Sequence, residues 1–103
     1  MAEDGKFRVK KFNGKNFSLW KMKMEDYMYQ KDLYLPLGRK SNMPTGMTDE
    51  EWNLLDRKAL RTIRLCLAAS VAFNISKETT TEGLIQTLSK LYEKPSEIGR
   101  AHV

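Results

Sequence analysis

The side chains that most often carry chemistry are scarce in this sequence. Cys66 is the only cysteine and His102 the only histidine, so neither an intramolecular disulfide nor a Cys/His metal cluster can form. Nucleophilic catalysis of the Ser/His/Asp or Cys/His kind needs a base beside the nucleophile. His102 is the penultimate residue, in a tail predicted to fray, and Cys66 lies in an apolar run where a thiol packs as a small hydrophobe. We therefore predict no catalytic triad and no zinc site.

Acid–base pairs and phosphate-binding loops are also missing from the pattern. The carboxylates of Asp49-Glu50-Glu51 and Glu25-Asp26 are adjacent in sequence on predicted helices, so their side chains point apart. The six glycines are scattered, with neither GxGxxG nor GxxxxGK followed by Ser or Thr. We predict that the protein is not an enzyme and that it uses no cofactor and no small-molecule substrate.

The remaining sequence feature that could support a function is the excess of positive charge. The formal net charge is +5, and residues 1–40 hold ten Lys or Arg against five Asp or Glu, whereas residues 41–103 hold eight of each. A basic segment attracts RNA, an anionic membrane or an acidic partner through its summed field. The candidates for nucleic-acid contact in this segment are Lys6, Arg8, Lys10, Lys11 and Lys15. Plain solubilisation is the alternative interpretation.

A second basic group lies along the central helix predicted below. Arg57, Arg61 and Arg64 fall on one side of it, and none has an acid four residues earlier to neutralise it. One interpretation is contact with RNA or with an acidic face of a neighbouring subunit. The other is an ordinary solvated helix face.

Aromatic residues alternate with lysines near the amino terminus, a mixture typical of single-strand binders that stack bases and hold phosphates. The aromatics are Phe12, Phe17 and Trp20, and the lysines are Lys15, Lys21 and Lys23. However, Phe17 and Trp20 recur at helical spacing on a stripe that must face a core. We therefore predict that these two rings are packing residues.

The first helix is predicted over residues 17–31. Apolar residues recur there at steps of three and four, and Asn16 is placed to cap the helix after the Asn13-Gly14 turn. The apolar stripe consists of Phe17, Trp20, Met24, Tyr27 and Met28. Residues 7–12 alternate apolar and basic, but no later segment is predicted as a strand to pair with them. Residues 1–15 are therefore predicted to form a basic arm.

The central helix is predicted over residues 49–73. It follows a linker or ordered loop over 35–46, which contains two prolines and two glycines. Its start is a capping box, in which Thr48 and Glu51 satisfy each other's backbone N–H groups. Its apolar face consists of Trp52, Leu55, Ala59, Ile63, Cys66 and Leu67.

A third helix is predicted to start at a second capping box, with Thr79 as the cap, and to end before Pro95. Its apolar face consists of Leu84, Ile85, Leu88, Leu91 and Tyr92. No apolar run approaches the roughly 18 residues of a membrane span, and the first residues lack the apolar segment of a signal peptide. We predict a cytoplasmic protein without a membrane partner.

The predicted fold class is all-α, a small bundle of about three main helices preceded by the basic arm. Residues 16–96 form the helical domain and residues 97–103 a separate tail.

Three motifs in order carry a family resemblance. The first reads Phe12-x-Gly14-x-Asn16-Phe17-x-x-Trp20-x-x-x-Met24, the second Trp52-x-x-x-Asp56-x-x-Ala59-x-x-x-Ile63-x-x-x-Leu67, and the third Leu88-x-x-x-Tyr92. Together they resemble the amino-terminal Gag, or capsid-type, region of plant copia-type (Tnt-like) LTR retrotransposon polyproteins, over residues 6–96. The resemblance implies a fold similar to the amino-terminal module of retroviral capsids. The core positions, on which resemblance and spacing agree, are Phe17, Trp20, Met24, Trp52, Ala59, Ile63, Leu67, Leu88 and Tyr92.

By this resemblance the protein is structural and self-associates around the element's RNA in virus-like particles. Its partners would be itself or intact Gag, together with RNA bound without sequence preference. The family's zinc knuckle, CxxCxxxxHxxxxC, has no counterpart here, and residues 97–103 match nothing in the family pattern. We therefore expect a truncated Gag region.

Two other hypotheses remain open. One is a stand-alone basic module that binds RNA regardless of sequence, and the other is a domesticated Gag fragment that interferes with intact particles by co-assembling. Self-association that persists after nuclease treatment would separate the capsid-type hypothesis from the RNA-binding one.

Overall fold

A computed structural model describes residues 9–93 of the protein. The α-helices are α1 (Phe17–Gln30), α2 (Asp49–Arg64), α3 (Ala69–Asn74) and α4 (Thr81–Tyr92), and two short 3₁₀ turns span Leu35–Leu37 and Lys40–Asn42. The described part of the chain contains no β-strand, which confirms the predicted all-α fold. None of its helices is long and apolar enough to cross a membrane.

The core lies between α1, α2 and α4, and α3 closes one side of it. The buried apolar side chains of the helices are Phe17, Trp20, Met24, Met28, Trp52, Ala59, Leu60, Ile63, Val71, Leu84 and Leu88. The first 3₁₀ turn packs against α2 and α4 and buries Pro36. The segment predicted as a linker or ordered loop is therefore ordered, because its proline ring is part of the packing.

α1 starts where it was predicted, but Asn16 does not cap it. The Asn16 backbone has φ 57° and ψ 53°, and its side chain makes no capping hydrogen bond. A capping side chain normally reaches the first free N–H groups from an extended backbone. Asn tolerates the left-handed conformation, so Asn16 serves here as the turn residue that leads the chain into α1.

The start of α2 confirms the predicted capping box. The Glu51 N–H donates to Thr48 Oγ1 at 3.1 Å, and the Thr48 N–H donates to Glu51 Oε1 at 2.9 Å. The three acids of the first turn also lie at the positive end of the helix dipole, where negative charge is favoured. This end of the central helix is thus determined by local sequence alone.

The other end of α2 was predicted wrongly. The helix stops at Arg64 instead of continuing to about residue 73, and α3 is a separate helix. The Phe12 N–H donates to the Cys66 carbonyl at 2.9 Å, and the Ala68 N–H donates to the Phe12 carbonyl, also at 2.9 Å. These peptide groups of Cys66 and Ala68 bond to Phe12 and not along a helix, so the break occurs here.

Phe12 itself differs from its predicted place in a basic arm. It forms an isolated parallel bridge with Leu67 and is only 2% exposed. Its ring centroid lies 5.0 Å from that of Trp20 and 5.1 Å from that of Tyr92. The three sequence motifs therefore meet at Phe12, and the helical domain includes residues before 16.

Gly14 lies between Phe12 and α1, and its backbone conformation explains the residue type. Its φ is +103°, a region that side-chain-bearing residues rarely adopt. A β-carbon there would also lie 3.5 Å from Tyr92 Cε1. The turn into α1 thus packs directly on the end of α4.

α4 begins one residue later than predicted. Thr80, not Thr79, is the cap, and its Oγ1 accepts from the Gly83 N–H at 3.0 Å. The register is set by Thr81, which is fully buried: its N–H donates to Asp56 Oδ1 at 2.9 Å and its hydroxyl to the Asp56 carbonyl at 3.0 Å. Leu91, predicted on the apolar face, is 53% exposed. α4 ends at Tyr92, and Pro95 lies outside the described residues.

Candidate nucleic-acid interface

The lysines predicted to contact nucleic acid surround a surface groove of about 360 Å³. The segment before α1 forms one wall, and the first two turns of α1 form the other. The groove is lined by Val9, Lys10, Lys11, Phe12, Asn13, Lys15, Asn16, Leu19, Trp20 and Lys23. Four of these side chains are cationic and exposed, so the groove presents a concentrated positive surface to an anion.

The backbone of the groove is held by short-range and long-range bonds. The Phe12–Leu67 bridge anchors one wall to the end of α2, and the Lys15 N–H donates to Asn13 Oδ1 at 3.1 Å. This turn orders the backbone at Lys15, between the two walls. The positions of Lys10, Lys11 and Lys15 thus depend on the fold and not on a free arm. Lys6 and Arg8, predicted to act with them, lie outside the described residues.

The aromatic residues beside these lysines are not available to stack bases. Phe12, Phe17 and Trp20 are all buried. Phe12 packs edge-on against Phe17 with centroids 5.5 Å apart and stacks on Trp20. Base stacking needs an open ring face. The groove therefore offers cations to phosphates without a platform for bases.

Trp20 lines the groove, but its indole N–H is not accessible from it. Its indole Nε1 is buried and has no acceptor within the part of the chain that the structure describes. A buried donor without a partner costs roughly 1–3 kcal/mol.

The arginines predicted as a second basic group do not line the groove. Arg57 and Arg61 are exposed on α2, whereas Arg64 is partly buried and its Nη2 donates to the Glu78 carbonyl at 3.4 Å. The structure thus separates the six predicted contact residues that it describes into a lysine groove and an α2 stripe, and the last residue of that stripe packs against the chain.

Several acidic residues have structural partners. Asp49 lies 3.5 Å from Lys40, Glu51 belongs to the capping box and Asp56 holds the first turn of α4. No group of three or more His, Cys, Asp or Glu side chains within residues 9–93 is placed to hold a metal ion. Cys66 is buried, and this burial raises the pKa of its thiol.

Lys23 and Leu19 line the groove without having been among the predicted contact residues. Lys23 was named only among the lysines that alternate with aromatic residues, and Leu19 was not singled out. The signal for Lys23 is its position three residues after Trp20, one helical turn along the same side of α1. No sequence signal marks Leu19, because its place in the groove depends on the long-range bridge of Phe12.

Of the predicted core positions, all but one are buried: Phe17, Trp20, Met24, Trp52, Ala59, Ile63, Leu67 and Leu88. Tyr92 is partly buried, since its hydroxyl reaches the surface and accepts from Asn74 Nδ2 at 3.0 Å. The positions that carry the family resemblance are thus largely those that build the core.

Fold and groove together define a small helical domain with a basic surface groove. Over 88 residues the chain is 41% identical to the retrovirus-related Pol polyprotein from transposon TNT 1-94 of Nicotiana tabacum. The match covers 84% of this chain and 7% of the relative, so the chain spans a small part of that polyprotein. No family model and no solved structure matches the chain.

This similarity confirms the predicted resemblance to the amino-terminal region of a copia-type retrotransposon polyprotein. The matched region is not a catalytic domain of the relative, and the similarity supports a Gag-like region of a transposon.

Proposed function

We propose that the domain is a Gag-like self-association module that acts in the cytoplasm and contributes by homotypic contacts to virus-like particle assembly around element RNA. The observation that carries the proposal is the 41% identity to the amino-terminal region of a retrotransposon polyprotein. By the family resemblance, that region is the Gag part. A structural role also agrees with motif residues that form the packing around Phe12.

The physical support is the distribution of apolar surface. Large apolar side chains stand exposed on α1, α2 and α4, namely Leu19, Met22, Tyr29, Leu54 and Leu91. Covering exposed apolar area stabilises an association by about 25 cal/mol per Å². A domain of this kind therefore favours contacts with copies of itself or with longer Gag chains.

Sedimentation equilibrium after nuclease treatment tests the proposal. We expect weak, concentration-dependent self-association that nuclease does not abolish. A second experiment mixes this chain with the longer amino-terminal region of the tobacco relative. We expect this chain either to be incorporated into the particles formed by that region or to inhibit their assembly. A strictly monomeric chain that leaves those particles unchanged would overturn the proposal. Inhibition of particle assembly would favour the hypothesis of an interfering Gag fragment.

RNA contact at the lysine groove is a second candidate function. It is favoured by the four exposed lysines around one groove. Phosphate contacts carry no base information, and the buried rings cannot stack bases. The expected binding is therefore weak, dependent on salt and blind to sequence.

A further inference from the structure

The outer face of α1 carries an apolar stripe with no partner in the described chain. Leu19, Met22 and Tyr29 lie at steps of three and seven residues and are 50%, 52% and 61% exposed. Asp26 occupies the remaining position of the same stripe and is also exposed. Steps of 19, 22, 26 and 29 follow the three-four spacing by which two helices pack along a seam. These four residues are called the α1 outer face below.

The α1 outer face cannot turn inward. The opposite side of the helix is buried through Phe17, Trp20, Met24 and Met28. Rotating α1 to cover Met22 would expose that side, at a cost much greater than the gain. The stripe also extends beyond the helix, because the Tyr34 ring lies 4.8 Å from that of Tyr29. The patch is thus a stable feature of the fold.

The charges beside the stripe select a second copy of this chain as its occupant. A two-fold pair of antiparallel α1 helices, centred near residue 24, places Leu19 against Tyr29 of the other copy. It also brings each Asp26 to within one residue, about 1.5 Å along the axis, of the other copy's Lys23. A parallel pair would instead place the two Asp26 carboxylates opposite each other. The face is therefore complementary to itself in only one orientation.

We propose that two copies associate through an antiparallel pairing of their α1 outer faces. This inference rests on the proposed self-association function and names the surface responsible. A two-fold contact of this kind uses the same patch on both chains and closes as a dimer. Larger assemblies then require other surfaces, such as those that carry Leu54 or Leu91.

The size of the patch sets the strength expected of the dimer. The three apolar side chains of the α1 outer face are about half exposed and contribute on the order of 100 Å² each, or roughly 600 Å² of apolar area over both copies. Stable complexes bury about 1,200–2,000 Å² in total. The α1 pairing alone is thus a weak, transient contact, with dissociation in the micromolar-to-millimolar range.

The experiment is sedimentation equilibrium of nuclease-treated protein over a wide concentration range. Met22→Glu and Tyr29→Glu are chosen because neither residue lines the lysine groove. Each should weaken the dimer at least tenfold, because it places a charge in the seam. The matched control is Leu54→Glu. Leu54 is 54% exposed on α2, so this substitution places the same charge on an apolar surface outside the α1 outer face. It should leave the dimer constant unchanged.

A charge swap tests the orientation. Lys23→Glu and Asp26→Lys should each weaken the dimer several-fold, because each creates a like-charge pair between copies. The double variant K23E/D26K should restore the parent constant, since opposite charges again face each other. Circular dichroism on every variant verifies that α1 remains folded.

The outcomes separate this inference from the proposed function. If the Met22→Glu or Tyr29→Glu variant dimerises as strongly as the parent chain, the α1 pairing is overturned and self-association is left intact. Failure of the double variant to recover overturns the antiparallel orientation. A parent chain that stays monomeric at every concentration overturns the α1 pairing, and it overturns the proposed function as well if it also leaves the particles of the tobacco relative unchanged. The pairing is established if the dimer weakens in Met22→Glu and Tyr29→Glu, is unchanged in Leu54→Glu, and regains the parent strength in K23E/D26K.

Discussion

At the scale of single residues, Phe12 joins parts of the chain that are far apart in sequence. Its backbone bonds to Cys66 and Ala68, and its ring contacts those of Trp20 and Tyr92. A residue before the first helix thus holds the ends of α2 and α4 together. The alternating pattern of residues 7–12 indicated an extended segment, but it contained no information about the distant backbone that pairs with it.

Replacement of Phe12 by Ala should destabilise the domain by about 3–5 kcal/mol, the usual cost of deleting a buried phenylalanine ring. Thermal unfolding followed by circular dichroism measures the effect. The control is Phe73→Ala, because Phe73 is 79% exposed and its loss should change stability by less than about 0.5 kcal/mol. Equal effects of the two substitutions would contradict the packing described for Phe12.

Cys66 gives a prediction about pH. Burial raises the pKa of its thiol above the ordinary value of 9.0, so the folded state keeps a proton that the unfolded state has lost. The resulting stability is fully present below pH 9 and is lost as pH rises above it, by at most about 1.4 kcal/mol per pH unit. Urea unfolding of the parent and of Cys66→Ala should show their stability difference shrinking between pH 8 and pH 10.5. A constant difference would show that the thiol ionises equally in both states.

At the scale of helices, ends set by local hydrogen bonds were predictable and ends set by distant partners were not. The Thr48 box is a local pattern, and it lies where it was predicted. The carboxyl end of α2 depends on Phe12, and the start of α4 depends on Asp56, a residue of another helix. Three consecutive threonines offer equivalent local caps, so only the bond from Thr81 to Asp56 selects Thr80.

The threonines before α4 supply a test of this register. Thr80→Ala should cost about 1 kcal/mol, because the Gly83 N–H loses its acceptor. Thr79→Ala should be nearly neutral, since Thr79 is exposed and caps nothing. Chemical denaturation of both variants measures the difference. A greater loss from Thr79→Ala would restore the register predicted from sequence.

The same reasoning explains how much of the candidate site was predictable. Charge counting in the sequence singles out Lys10, Lys11 and Lys15. It did not reveal that they share a groove with Lys23, because the groove exists only when the Phe12 segment pairs beyond the end of α2. Composition thus identifies which residues attract an anion, whereas the tertiary contacts decide which of them act together.

At the scale of the whole molecule, the excess positive charge and the exposed apolar surface meet at α1. Lys23 and Leu19 line the groove, and both also lie on or beside the α1 outer face. RNA bound at the groove would draw Lys23 away from Asp26 of a second copy. The two proposed contacts therefore compete for this lysine, and each must be measured in the absence of the other partner.

The last prediction concerns the groove. Single-stranded RNA should bind weakly, and the logarithm of its affinity should fall with the logarithm of salt concentration by about 0.7 per phosphate contact. Reversing Lys10, Lys11 and Lys15 to Glu together should abolish binding and flatten the slope.

The matched control for that triple variant reverses Lys58, Lys77 and Lys90, which are exposed and lie outside the groove. Both triple variants lower the net charge equally, so equal losses would mean that net charge alone attracts RNA and that the groove has no special role. Fluorescence anisotropy with oligonucleotides of different sequence completes the test. A complex that survives high salt, or that prefers one sequence, would contradict binding through phosphates alone, because lysines at a groove without open aromatic faces have no means to read a base.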